Sequence, residues 1–234
     1  LEQVLYPLFQ KDYTNDDLLG DISAAGDLLA TNDYHKYRYT ALYANANVNY
    51  QNRAVLSASL RRDGSSRFGP SARFASFGSV GLAYIFSESR LIKEKLKFLS
   101  FGKIRTSYGT TGNDQIGDYL FFDSWSTPIG SPYAGSSGLL PSSLFNPYLQ
   151  WERTRKFEIG LDVGFFKDRV SLSAGFYSNL SNNQLIGQKL PSQTGFPNIA
   201  SNQDARIRNT GFELELLTRN VQTEQLRWET SFNV

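Results

Sequence analysis

The stretch Lys156–Phe165, KFEIGLDVGF, alternates without a break. Phe157, Ile159, Leu161, Val163 and Phe165 fall on one side of an extended chain; Lys156, Glu158, Gly160, Asp162 and Gly164 fall on the other. A helix would spread these residues around its circumference. A strand sends successive side chains to opposite faces, so the pattern predicts a strand with one apolar and one polar face. Val170–Asn179, VSLSAGFYSN, repeats it, with Val170, Leu172, Ala174 and Phe176 opposite Ser171, Ser173, Gly175 and Tyr177. Only Phe166, Lys167, Asp168 and Arg169 lie between the two runs, which makes them a hairpin with a short turn.

The same period of two recurs along most of the chain. It is clear at Leu42–Tyr50, Ala54–Asp63, Gly102–Gly109, Gly211–Leu216 and Gln225–Val234, and less clean at Phe74–Phe86. With the opening pair this gives about eight strands in four consecutive pairs, plus one short helical candidate at Glu88–Leu99. The connections alternate in length. QNR after Tyr50, KDR after Phe166 and Asn220–Glu224 are short; Gly64–Arg73, Thr110–Gln150 and Leu185–Ala205 are long and rich in Ser, Gly, Pro and Asn. An up-and-down transmembrane barrel has short turns at one rim and long loops at the other.

Composition narrows the function classes. With no Cys there is no disulfide framework, thiolate metal site or Cys nucleophile. A net charge of +2, with 24 Lys and Arg against 22 Asp and Glu, lacks the basic footprint that nucleic acid requires, so no nucleic-acid partner is expected. No run approaches the roughly 18 apolar residues of a membrane helix. With no Met and no basic, apolar leader at Leu1, a start upstream and a processed N-terminus both fit. Three architectures remain open: an antiparallel transmembrane β-barrel, either a piece of a larger one or a complete small eight-stranded one with an adhesive or structural role, and a soluble carbohydrate-binding β-sandwich. The solvated polar face favours a barrel, as do Tyr50, Phe86, Tyr108, Phe165 and Trp228 near strand ends, where interfacial aromatic girdles lie.

Several phrases carry a family resemblance together. RRDGSSRFGP (Arg61–Pro70), KIRTSYGTTGNDQIGDY (Lys103–Tyr119), NPYLQWERTRKFEIGLDVGFFKDRV (Asn146–Val170), LPSQTGFPN (Leu190–Asn198) and RNTGFELEL (Arg208–Leu216) occur in order. From about Tyr39 to Val234 the chain resembles the C-terminal barrel of SusC/RagA-type TonB-dependent outer-membrane transporters. The resemblance implies about eight strands of a 22-stranded barrel, with residues 37–234 as barrel wall; residues 1–36, which the resemblance does not reach, are expected to belong to an extracellular loop. It implies location in the outer membrane of a Gram-negative, Bacteroidetes-like bacterium and import of a large nutrient, an oligosaccharide or oligopeptide, without enzymatic chemistry. The implied partners are outer-membrane lipids, the remaining barrel and plug, a SusD-like surface lipoprotein, and TonB with ExbB and ExbD through an N-terminal region outside this chain.

The candidate site residues follow from the faces and the longest loop. Arg61, Lys103, Arg105, Glu158, Asp162, Glu213 and Glu215 sit on polar faces and are expected to face the lumen. SYGTTGNDQIGDY looks at first like a phosphate cradle, but it lacks the Gly-Lys-Ser/Thr ending and leads into no helix. The expectation is that its strand ends near Gly109 and that GTTGN releases the chain into an outer loop. In that loop Tyr119, Trp125, Tyr133 and Tyr148, with Asp114 and Gln115 at its base, combine aromatic faces with hydrogen-bonding groups and are candidates for cargo contact. No catalytic residue, metal site or cofactor is expected: the single His35 lies in an unplaced segment, and KDYTNDDLLGD (Lys11–Asp21) lacks the glycine of a calcium loop.

Overall fold

The computed structural model describes residues 2–5, 8–11, 27–30, 33–126 and 138–234. Tyr133 and the acidic residues 12–21 lie outside the described residues. Four short strands open the chain: β1 (Glu2–Leu5), β2 (Leu8–Lys11), β3 (Asp27–Ala30) and β4 (Asp33–Lys36), with β1 paired to β4 and β2 to β3. The long strands follow as β5 (Tyr39–Tyr50), β6 (Ala54–Ser65), β7 (Phe74–Ile85) and β8 (Leu99–Asn113). A small ribbon of β9 (Ser124–Ser126) and β10 (Leu140–Ser143) precedes β11 (Glu152–Phe165) and β12 (Val170–Asn182). The hairpin β13 (Gln184–Lys189) with β14 (Asn198–Gln203) comes before β15 (Ile207–Gln222) and β16 (Arg227–Asn233). One antiparallel sheet of eight strands, ordered β16-β15-β12-β11-β8-β7-β6-β5, holds the long ones.

The turns explain the tight hairpins. Gln51 and Asn52 have φ of 52° and 55°, and the Arg53 amide donates to the Tyr50 carbonyl at 3.0 Å. Hairpin turns whose twist matches the strands need positive φ at both central residues, and Asn tolerates that region best after Gly. The β11–β12 turn holds Phe166, Lys167 and Asp168 at φ of 55°, 59° and 60°. Its neighbours fix it: Phe166 donates its amide to the Phe98 carbonyl at 2.8 Å, and Asp168 donates its amide to Ser100 Oγ at 3.0 Å.

The apolar face of the sheet is open. Leu42 is 76% exposed, Leu60 70% and Phe212 64%, and Val48, Val80, Leu82, Ile104, Ile159, Leu161 and Trp228 are exposed with them. A sandwich buries one face of each sheet against another, so the sandwich expectation fails. The complete eight-stranded barrel fails too, because β5 and β16 are opposite edges with one neighbour each and the sheet does not close on itself.

The buried cluster is small and lies at the end of the sheet where the long connections leave. It comprises Phe68, Ala75, Phe77, Phe121, Leu149 and Trp151, with Phe68 and Leu149 wholly buried. Strand bounds differ from expectation here. β8 continues to Asn113, so GTTGN is strand rather than the start of a loop; Thr110 to Asn113 find partners from Arg155 to Glu152 on β11. Glycines discourage a strand taken alone, and pairing with β11 overrides that here. The helical candidate shrinks to α1 (Arg90–Lys95), preceded by a 3-10 turn at Phe86–Glu88. The two longest expected loops each contain a ribbon, β9 with β10 and β13 with β14.

Candidate functional site

Register places the polar residues in cross-strand rows. Lys103, Asp162, Ser173 and Glu215 face one another on β8, β11, β12 and β15. Arg105, Gly160, Gly175 and Glu213 form the next row, and Ser107, Glu158, Tyr177 and Gly211 the one after. On β6 and β7, Ser59 and Ser79 continue the polar surface, their hydroxyls 2.6 Å apart. All seven residues expected on polar faces therefore lie on the face opposite the exposed apolar belt.

Several charges on this face are paired across strands. Asp162 lies 3.4 Å from Lys103 Nζ and 3.6 Å from Arg105 Nε, and accepts a hydrogen bond from Ser173 Oγ at 2.7 Å. Arg105 also pairs with Glu158. Gly160 makes this reach possible: Arg105 Nε and Cζ lie 2.8 Å from where a Cβ on Gly160 would sit. Arg61 donates to Asp63 at 2.6 Å and to the Tyr39 hydroxyl at 2.7 Å. Arg61, Asp63 and Tyr39 line a hollow of about 740 Å³ with Ser57, Ser59, Phe77 and Lys156.

Beyond the sheet, a second cluster ties the connections together. Arg67 donates to Asp118 Oδ1 at 2.9 Å and to the Asp114 carbonyl at 3.0 Å, and its guanidinium lies 4.3 Å from the centre of the Tyr37 ring. The Tyr37 hydroxyl donates to Asp114 Oδ2 at 2.7 Å. Burial, and then this bond to the Asp114 carboxylate, push the Tyr37 phenol up to about 12. Next in sequence to Arg67, Phe68 packs at a tilt against Trp151 with ring centres 5.1 Å apart; Trp151 also meets Phe77 edge-on at 5.7 Å and donates its indole N–H to the Arg73 carbonyl at 3.3 Å. The side-chain amide of Asn202 pairs with the Gln150 backbone in both directions, at 2.7 and 2.8 Å. Asn146 donates to the Ala200 carbonyl at 2.7 Å.

Sequence phrases far apart thus meet at one rim. RRDGSSRFGP supplies Arg67 and Phe68, NDQIGDY supplies Asp114 and Asp118, and NPYLQW supplies Leu149 and Trp151. Of the loop candidates, Asp114 lies inside this cluster. Gln115 is exposed, and its amide caps Asn113 Oδ1 at 3.0 Å. Tyr119 has φ of 63°, accepts the Lys36 amide on its hydroxyl at 2.8 Å and lies parallel to His35. Trp125 donates to Asp123 Oδ2 at 3.2 Å and Tyr148 is largely exposed; neither joins the cluster. Arg67, Tyr37, Trp151 and Asn202 escaped the sequence reading. Their one signal was placement in aperiodic stretches rich in Gly, Pro and Asn that nonetheless carry large side chains. Chemically the two assemblies can bind and brace. Among the described residues no group of three or more His, Cys, Asp or Glu is arranged to hold a metal ion.

Comparison with known proteins agrees with this architecture. The model of the TonB dependent receptor-like β-barrel family matches residues 4–234. TonB-dependent receptor P39 of Formosa agariphila is 33% identical over 201 residues, 86% of this chain and 19% of the relative. TonB-dependent receptor SusC of Bacteroides thetaiotaomicron is 28% identical over 200 residues, 82% of this chain and 20% of the relative. A chain from the structure of the RagAB peptide transporter superposes with a TM-score of 0.84 at 29% identity, covering 94% of this chain and 24% of that one. The chain spans about a fifth of the length of these curated relatives.

Proposed function

The chain belongs to the TonB-dependent receptor-like β-barrel family, and from that premise we propose that it forms part of the wall of an outer-membrane active transporter. The exposed apolar belt meets lipid, the polar face meets the lumen, and the rim cluster braces the extracellular loops. The transporter imports a large nutrient, an oligopeptide or oligosaccharide, captured with a SusD-like surface lipoprotein and driven by TonB with ExbB and ExbD. Residues 37–234 are wall and residues 1–36 an extracellular loop.

The single observation that carries this reading is the two-faced sheet: a continuous apolar belt left exposed on one side and cross-strand ion pairs on the other. Only a closed barrel satisfies all backbone groups of a sheet in lipid, so the unpaired edges β5 and β16 are closed by further strands of a larger barrel. Support for a peptide cargo comes from the similarity to the RagAB peptide transporter. The exposed aromatics Tyr119, Trp125 and Tyr148 and the amide of Gln115 lie on the rim side, where incoming cargo first touches the protein.

The test is purification of the native complex from outer membranes of the source organism, followed by mass spectrometry of its chains and bound ligand. The account expects membrane recovery, a co-purifying surface lipoprotein, and peptides or glycans released on denaturation. Recovery from the soluble fraction, or membrane recovery with no partner and no ligand, contradicts it.

A further inference from the structure

We infer that Arg155 and Arg208 form a seat, on the lipid side of the sheet at its outer rim, for a phosphate of the glycolipid that fills the outer leaflet. The inference rests on the reading of this sheet as barrel wall. Its ground is where charge falls on the apolar face. Register puts Arg155, Leu180 and Arg208 of β11, β12 and β15 in one cross-strand row. Two positions along lie Phe157, Ser178 and Thr210, and two further Ile159, Phe176 and Phe212. Side chains alternate along a strand, so these three rows share the lipid side. The intervening positions are polar: Thr154 and Ser181 share a hydrogen bond at 2.7 Å, and Lys156, Asn179 and Asn209 line one hollow with Glu158 and Glu213. Arg62 on β6, in register with Leu42 and Ser76, lies on the lipid side at the same end.

The lipid-facing positions of the eight strands hold no Asp or Glu among the described residues. Arg62, Arg155 and Arg208 each lie within four residues of the strand end from which a long connection leaves. The other end of the same face carries Tyr50, Tyr84, Phe165 and Trp228 and no charge. The three arginines are exposed and make no ion pair among the described residues, whereas Arg61, Arg105 and Arg219 on the polar face all do. Arg153, two residues before Arg155, has its guanidinium 6.0 Å from the Phe77 ring and belongs to the rim cluster. Arg155 and Arg62 each have both neighbouring strands within this sheet, β8 and β12 for one, β5 and β7 for the other. Their side chains leave the wall away from the lumen, so neither a plug nor a further strand covers them. A long stem lets arginine carry its charge from the wall to the headgroup layer. The outer leaflet of an outer membrane is phosphorylated glycolipid, so the anion met at that depth is a phosphate on a sugar. Arg155 and Arg208 flank Leu180 with backbones about 10 Å apart, two strand spacings. Two guanidiniums can thus close on one phosphate from both sides, with the forked donor geometry that phosphate favours. Ser178 and Thr210 add hydroxyls beside it, and the exposed rings of Phe157, Phe176 and Phe212 lie below, at the depth of the acyl chains.

The experiment uses the full-length transporter, purified from outer membranes in detergent and freed of bound lipid, with native mass spectrometry as the readout. The probes are diphosphorylated lipid A, the same lipid A after phosphatase treatment, and phosphatidylglycerol. Expected are lipid A adducts on the parent, with severalfold fewer for the dephosphorylated form and for phosphatidylglycerol. The double variant Arg155→Gln with Arg208→Gln is expected to take up severalfold less of the phosphorylated form. Arg155→Lys with Arg208→Lys keeps the charge without the forked donors and falls between the two. Lys189→Gln removes an exposed cation of β13, off the wall at the same rim, and leaves the adducts at the parental level. Equal uptake of both forms of lipid A by the parent overturns the phosphate seat without any variant. Parental adducts on the glutamine pair overturn Arg155 and Arg208 as its site. Equal uptake of phosphatidylglycerol overturns the glycolipid as the occupant. The wall reading fails separately, by recovery of the protein outside the membrane.

Discussion

At the scale of single residues, the rim cluster sets the strongest expectations. Trp151 is buried against Phe68 and Phe77 and satisfies its indole N–H on Arg73. Trp151→Ala removes the largest buried ring, a change that costs about 3–5 kcal/mol in a packed core. The loss is local to the rim, so limited proteolysis of the intact transporter is expected to cut the 114–150 connection sooner while the membrane-embedded strands stay resistant. Tyr37 adds a pH dependence. Its folded-state affinity for the proton is raised, from 10.0 to about 12. The contribution of its bond to Asp114 is therefore fully present below pH 10 and is lost as pH rises toward and through about 12. Loop protection measured across that window falls in the parent and is flat in Tyr37→Phe, which lacks the hydroxyl throughout.

At the scale of elements, the faces predict opposite responses to the same substitution. Leu60 and Ser59 are neighbours midway along β6, the first exposed on the apolar face and the second on the polar face beside Ser79. Arginine on the lipid side near the bilayer midplane costs about 2–4 kcal/mol, and little in a solvated lumen. Leu60→Arg is expected to lower the amount of folded, outer-membrane protein severalfold, and Ser59→Arg to leave it near the parental level; immunoblots of membrane fractions read both. Equal losses contradict the assigned faces. The strands themselves were legible in the sequence because period-two alternation is a local property: Phe157 to Phe165 need no distant partner to declare their face. The end of β8 was not legible. GTTGN reads as a chain exit until Arg153, Thr154 and Arg155 are known to lie beside it. The rim was hidden for the same reason. Arg67 finds Asp118 across 51 residues and Trp151 finds Arg73 across 78, and no periodicity announces such contacts.

At the scale of the whole molecule, the sheet is incomplete by itself. β5 and β16 expose one edge each, and unpaired edges in lipid recruit other strands or aggregate. Expressed alone and refolded in detergent, residues 1–234 are expected to form heterogeneous oligomers by size-exclusion chromatography; a monodisperse monomer that resists heat and detergent contradicts the need for further strands. The central claim is that alternate residues of β11 face lipid and lumen. Residues 1–234 contain no cysteine, so single cysteines at positions 157 to 164, introduced with any cysteine elsewhere in the full-length protein replaced, give a label series on it. The direct measurement is oxygen accessibility of spin labels at these positions in the full-length protein reconstituted in bilayers. The account predicts high accessibility at 157, 159, 161 and 163 and low accessibility at 158, 160, 162 and 164. Uniform accessibility along the strand, or the inverse alternation, would contradict it.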